Sequence, residues 1–151
     1  MKRAFVSLLV ASLALLAGCS KHDDHAHAGG GHAHTAPHGG KLIELGEHAG
    51  NLELVRDAAT GTLTVYVLDG HAENFIRIAA PALEATAFAG GQKRTLSLKA
   101  VANPATGETV GNTSQFEARA DWLKSGGELN GEIGVVEMRG TRFGPTAFQL
   151  K

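Results

Sequence analysis

Six of the eight histidines in this 151-residue chain fall between His22 and His38. They come as His22, the pair His25-Ala26-His27, the pair His32-Ala33-His34, and His38 behind Pro37. Imidazole nitrogen is a borderline ligand that suits Zn(II), Cu(II) and Ni(II). In an extended His-x-His both rings lie on one side of the backbone, because side chains alternate with period two. Their Cβ atoms are then roughly 7 Å apart, and small Ala and Gly neighbours let the backbone bend both rings onto one ion. Asp23 and Asp24 add carboxylate oxygens. Such a tract is ordered only on binding, so capture is expected to be modest in affinity and poor in selectivity. It is also expected to weaken in acid, since the unperturbed imidazole titrates near pH 6.5 and the proton competes with the metal. The competing reading is a hydrated spacer that happens to contain histidine. Ordinary spacers use Ser, Gly, Glu, Lys and Pro, which makes the metal reading the stronger of the two.

A second group of candidates lies further along. Asp69-Gly70-His71-Ala72-Glu73-Asn74 is a polar run at the end of an apolar strand pattern. His71, Glu73 and Asp69 could supply ligands from one loop, with His38 or His48 joining across a hairpin; a carboxylate with two or three imidazoles suits zinc or Cu(II). Against this stands a local reading, slightly preferred, in which Asp69 and Asn74 make turn hydrogen bonds and His71 packs or is solvated. Enzyme signatures are lacking: there is no Gly-x-Ser-x-Gly elbow, no His-Glu-x-x-His and no Walker glycine loop, so the chain is expected not to be an enzyme. A hydrolase with an unrecognised pair of carboxylates is the third and weakest reading.

Three segments must carry these residues. Lys2-Arg3 followed by the uncharged Ala4 to Ala17 has the pattern of a signal peptide, and the apolar run is short for a membrane span. It ends in Leu16-Ala17-Gly18-Cys19, which resembles the lipobox of bacterial lipoproteins. The resemblance implies cleavage before Cys19, a diacylglycerol on its sulfur and attachment to the membrane facing the periplasm. Ser20 resembles the outer-membrane sorting pattern. Cys19 is the only cysteine, so no internal disulfide can form, and lipidation would occupy its thiol. Several acyl chains at about 0.8 kcal/mol per buried methylene would hold the anchor. Residues 1–18 are thus the expected signal peptide, and residues 19–40 a linker without large apolar side chains, with a coil reach on the order of 25 Å. Residues 41–151 are the folded domain. Loss of Lys2 and Arg3 takes the formal charge from −1 to −3. Without a basic cluster, no nucleic-acid partner is expected.

The domain reads as short strands. Thr62–Leu68 sets Leu63, Val65 and Val67 against Thr64 and Tyr66, and Gln115–Ala120 sets Phe116, Ala118 and Ala120 against Gln115, Glu117 and Arg119. Thr95–Ala100 alternates likewise. Further strands are expected over 41–45, 51–56, 75–78, 83–88, 132–138 and 146–150. Turns are expected at Asp57–Gly61 and Asn103–Gly107, and glycine pairs Gly90-Gly91 and Gly126-Gly127 are expected to close hairpins. Asp121–Lys124 reads as a helical turn. Seven to nine strands in about 110 residues predict an all-β domain, a sandwich of immunoglobulin or fibronectin proportions, with a small closed barrel as alternative. The expected core is Leu52, Leu54, Leu63, Val65, Val67, Ile76, Leu96, Leu98, Phe116, Ile133, Val135 and Phe148.

Pro37-His38-Gly39-Gly40, then a strand, Gly46-Glu47-His48, Leu52-Glu53-Leu54 and Leu63–Asp69 resemble small periplasmic domains found beside heavy-metal efflux systems, and segments of the adaptor subunits of those pumps. The likeness covers Pro37 to Ile78. It implies a metal-associated accessory protein, with a transporter or efflux system as partner and His38 as the position carried over most directly. The expected function is therefore capture, buffering or delivery of Zn(II), Cu(II) or Ni(II) at the cell envelope, with ligands among His22, His25, His27, His32, His34, His38, His48, His71 and Glu73. The alternative is a non-catalytic β lipoprotein that binds a protein or envelope partner, its tract a mere tether.

Overall fold

The computed structural model describes residues 34–151. The expected signal peptide, the lipidation position Cys19 and the ligand candidates His22, His25, His27 and His32 lie outside the described residues.

Period-two alternation sets the architecture. Among the described residues ten strands follow in order: β1 Lys41–Leu45, β2 Gly50–Asp57, β3 Thr62–Leu68, β4 Ala82–Ala89, β5 Gln92–Ala100, β6 Gln115–Arg119, β7 Leu129–Ile133, β8 Val136–Met138, β9 Thr141–Phe143 and β10 Thr146–Leu150. One short 3₁₀ turn, Asp121–Lys124, lies between β6 and β7. Eight strands form one antiparallel sheet in the order β1-β2-β3-β6-β5-β4-β7-β10, and β8 and β9 form a separate hairpin. The protein is therefore all-β, as the alternation predicts. Its layers are parts of one continuous sheet whose first and last strands, β1 and β10, lie alongside each other, which gives it a barrel-like form.

The register explains which residues are buried. Ile43, Leu52 and Val67 form one row across β1, β2 and β3, and Leu54, Val65 and Phe116 form another across β2, β3 and β6. Both rows face inward, where they join Leu63, Leu98, Leu123, Ile133 and Phe148 in the core. Removing this apolar area from water, at about 25 cal/mol per Å², holds the curled sheet together. The next row outward is Leu42, Glu53, Tyr66 and Gln115. It lies on the opposite face, because successive residues in a strand point to opposite sides.

Four expectations need correction. Residues 75–78 form two isolated bridges, Leu68 with Phe75 and Ile78 with Thr113, in place of a strand. The expected strand 132–138 is two strands, because the Gly134-Val135 break resets the alternation. Val136 and Met138 turn inward and Val135 is 48% exposed, so Val135 is not a core residue. Gly126-Gly127 does not close a hairpin, since the flanking β6 and β7 pair with other strands. The strand β9 was not expected at all. Gly90-Gly91, by contrast, does join the paired strands β4 and β5, both glycines taking positive φ.

Candidate functional site

The site begins with a turn. Gly39 N–H donates to the Ala36 carbonyl at 3.1 Å, closing a four-residue turn over Ala36-Pro37-His38-Gly39. Pro37 pre-sets φ at the first central position, and Gly39 takes φ +71°, which an L side chain resists. Gly40 then passes so close to β2 that an added Cβ would stand 2.5 Å from the Leu54 carbonyl oxygen and 2.8 Å from Val55. The two glycines thus perform different tasks, one turning the chain and the other permitting close approach.

This turn lays the chain over Glu53, which the register had put on the outer face of β2. The Glu53 side chain is 0% exposed there. Its Oε1 accepts from the backbone N–H of His38 at 2.7 Å and of Gly40 at 2.9 Å, and its Oε2 lies 2.8 Å from His38 Nδ1. A buried carboxylate survives only with such partners, since an unpaired one carries a large desolvation penalty. A carboxylate is acceptor-only, so it assigns the proton to Nδ1 and leaves Nε2 as the acceptor nitrogen of neutral His38. Acidic side chains orient metal-bound histidines in this way, fixing the tautomer and raising the basicity of the other nitrogen. The same arrangement would also suit a proton acceptor.

Aromatic packing fixes the ring. His38 stacks on Tyr66, its centroid 3.9 Å away and the planes 13° apart, and Phe75 closes on it at 5.7 Å. Burial pushes the Tyr66 hydroxyl above its ordinary pKa, and the nearby charges of Glu53 and Glu117 add to this. These rings form one wall of a groove of about 390 Å³, lined among others by His38, Tyr66, Phe75, Arg77, Glu108 and Gln115. Glu108 lines the same groove. Its Oε1 accepts from Ser114 N–H at 2.9 Å and from the Ser114 hydroxyl at 2.6 Å, and its Oε2 from the Thr106 hydroxyl at 2.7 Å. Burial pushes this carboxyl up, but the bonds from Ser114 and Thr106 and the Arg77 charge 3.8 Å away outweigh it and hold it below its usual value.

The other expected ligands are dispersed. His48 sits in the β1–β2 turn at φ +60°, its ring 62% exposed and its Nδ1 3.3 Å from Glu44. Gly70 abuts the His48 carbonyl, so the two loops touch through backbone. His71 is exposed and stacks against His34, with centroids 5.7 Å apart and planes 18° apart. Glu73 is also exposed, and only its backbone N–H is engaged, by Asp69 Oδ1 at 2.9 Å. Asp69 Oδ2 accepts from Asn74 at 2.6 Å. This bond, with backbone donors in the same loop, depresses the Asp69 pKa to about 2. Among the described residues, no three His, Cys, Asp or Glu side chains gather where they could hold one metal ion. The structure therefore joins His34 to His71 and His38 to Glu53, and does not bring His38, His48, His71 and Glu73 to one point.

Sequence reasoning passed over Glu53, Tyr66, Phe75 and Glu108. A signal for Glu53 was present: a carboxylate between Leu52 and Leu54 is an ordinary outward residue unless something covers that face, and Pro-His-Gly-Gly is turn chemistry able to cover it. Comparison with known proteins returned no matching family model, no similar curated protein and no similar solved structure.

Proposed function

We propose that this chain is a lipid-anchored accessory protein of the cell envelope that captures and buffers, or delivers, Zn(II), Cu(II) or Ni(II), with a transporter or efflux system as the receiver. The histidine tract collects the ion, and His38 stands where the tract meets the fold. The observation that carries this reading is the Glu53–His38 couple. A buried acid commits Nδ1 and three bonds tie the segment down, so the imidazole is held ready as an Nε2 donor before any metal arrives. Preorganisation of this kind lowers the entropy lost on binding.

Titration calorimetry of the full chain in detergent at neutral pH, with each of the three metals, tests the reading. Binding is expected, with fewer equivalents when His22, His25, His27, His32 and His34 are changed to Ala. His38→Ala is expected to weaken a remaining site about tenfold, the loss of about 1.4 kcal/mol. An unaltered chain that binds none of the three metals would sink the proposal.

A second reading rests on the groove between Tyr66 and Glu108. Its aromatic wall, Arg77 and Gln115 could engage a protein or envelope component, with the tract a tether. Full function after replacing the tract by a Gly/Ser linker of equal length would favour it.

A further inference from the structure

The pairing of His34 with His71 has no part in the Glu53–His38 couple. His34 is the last member of the His32-Ala33-His34 pair, and His71 belongs to the loop after β3, thirty-seven positions along the chain. Their ring centroids are 5.7 Å apart. Zinc-bound imidazole nitrogens lie about 2.0–2.1 Å from the ion. Adding about 1.1 Å from nitrogen to ring centre puts two rings on one tetrahedral ion roughly 5–6 Å apart at their centroids. The observed separation is within that span, so sharing an ion requires the rings to rotate and leaves their spacing unchanged.

The loop holds its own histidine steady. Asp69 accepts from Glu73 and Asn74, Ala72 N–H donates to the Asp69 carbonyl at 3.0 Å, and Asn51 Nδ2 on β2 donates to the carbonyls of Asp69 and Gly70 at 3.0 and 3.1 Å. Ala72, next to His71, is held in the left-handed region at φ +59°. Every carboxylate oxygen of Asp69 is occupied by these bonds, so the carboxylate braces the loop that presents the ring. With no third ligand gathered beside the pair among the described residues, two coordination positions are left for water or an incoming donor.

We propose that His34 and His71 form a two-imidazole site for a divalent transition metal, with the ion linking the end of the histidine tract to the β3–β4 loop. The proposal rests on the metal-binding reading above and adds a defined pair to it. Two imidazoles with water in the other positions suit an ion in transit, since a donor from another protein can enter by displacing water and need not first displace a side chain.

Zn(II) titration of the full chain in detergent tests the pairing, in a background where His22, His25, His27 and His32 are Ala and His38 is retained. His71→Ala and His34→Ala are each expected to weaken one site about tenfold or more, and the double variant little more than either alone, because both rings serve one ion. Ring resonances of His71 followed by NMR should shift on addition of one equivalent of Zn(II) and stay still in the His34→Ala variant. Equal affinity with and without His71, or His71 resonances that ignore Zn(II), would overturn the pairing while leaving the tract and His38 in place. Absence of Zn(II), Cu(II) and Ni(II) binding by the unaltered chain would overturn both proposals together.

Discussion

Two carboxylates, Glu53 within β2 and Asp69 in the loop just after β3, do the same chemical work with opposite reach. Asp69 spends both oxygens on Glu73 and Asn74, four and five residues away. Glu53 spends its oxygens on His38 and Gly40, thirteen to fifteen residues away, and is wholly shielded from water. The Asp69 cluster closes a loop, and its bonds survive wherever that loop is formed. The Glu53 cluster clamps the segment that leads in from the histidine tract against the outer face of the sheet. It turns a histidine at the margin of the domain into an oriented donor. Short-range carboxylate bonds shape the local chain, whereas the long-range set joins two parts of the molecule.

Breaking the Glu53 clamp should have the largest effect. Glu53→Ala leaves two partly buried backbone N–H groups and the His38 ring without their acceptor, and should cost about 3 kcal/mol of stability. Urea denaturation should show a lower midpoint with the slope nearly unchanged. A loss under about 1 kcal/mol would mean the clamp is not made in solution. Gly40→Ala attacks the same clamp sterically, through the clash with Leu54, and should cost about 2 kcal/mol in the same measurement while leaving Glu53 itself intact.

Asp69→Asn should cost less, about 1 kcal/mol at neutral pH, because it removes one charged acceptor from a solvent-accessible loop. Its pH dependence sharpens the contrast. The Asp69 pKa is depressed in the fold, from the ordinary 3.8 to about 2. Its stabilisation is therefore complete above the unfolded value and lost as pH falls from about 4 through about 2. Thermal melts of the natural chain and of Asp69→Asn should converge across that window, and parallel curves would contradict the assignment. Glu73→Gln should change stability by less than about 0.5 kcal/mol, since only its backbone takes part in the loop. A larger effect would show that the loop uses a side-chain bond absent from this arrangement.

Much of the fold was legible from residue order alone. Strands β1, β3 and β10 have the bounds that alternation predicts, and Asp57–Gly61 closes its hairpin with Gly61 at φ +72°, because period two and turn chemistry act over a few neighbours. The local reading of Asp69 and Asn74 is also what the structure contains. Expectations failed where pairing partners were missing or the alternation was interrupted. Residues 75–78 look like a strand but meet only single partners on either side, and Val135 loses its inward place because a break at Gly134 shifts the phase.

The all-β class, the turns and the concentration of imidazole ahead of the domain all follow from residue type and short spacing. The burial of Glu53, its hold on His38, and the meeting of His34 with His71 while His48 stands apart come from contacts between distant parts of the chain. The reason is physical: alternation says which side of a strand a residue takes, but which chain covers that side depends on how the whole sheet curls.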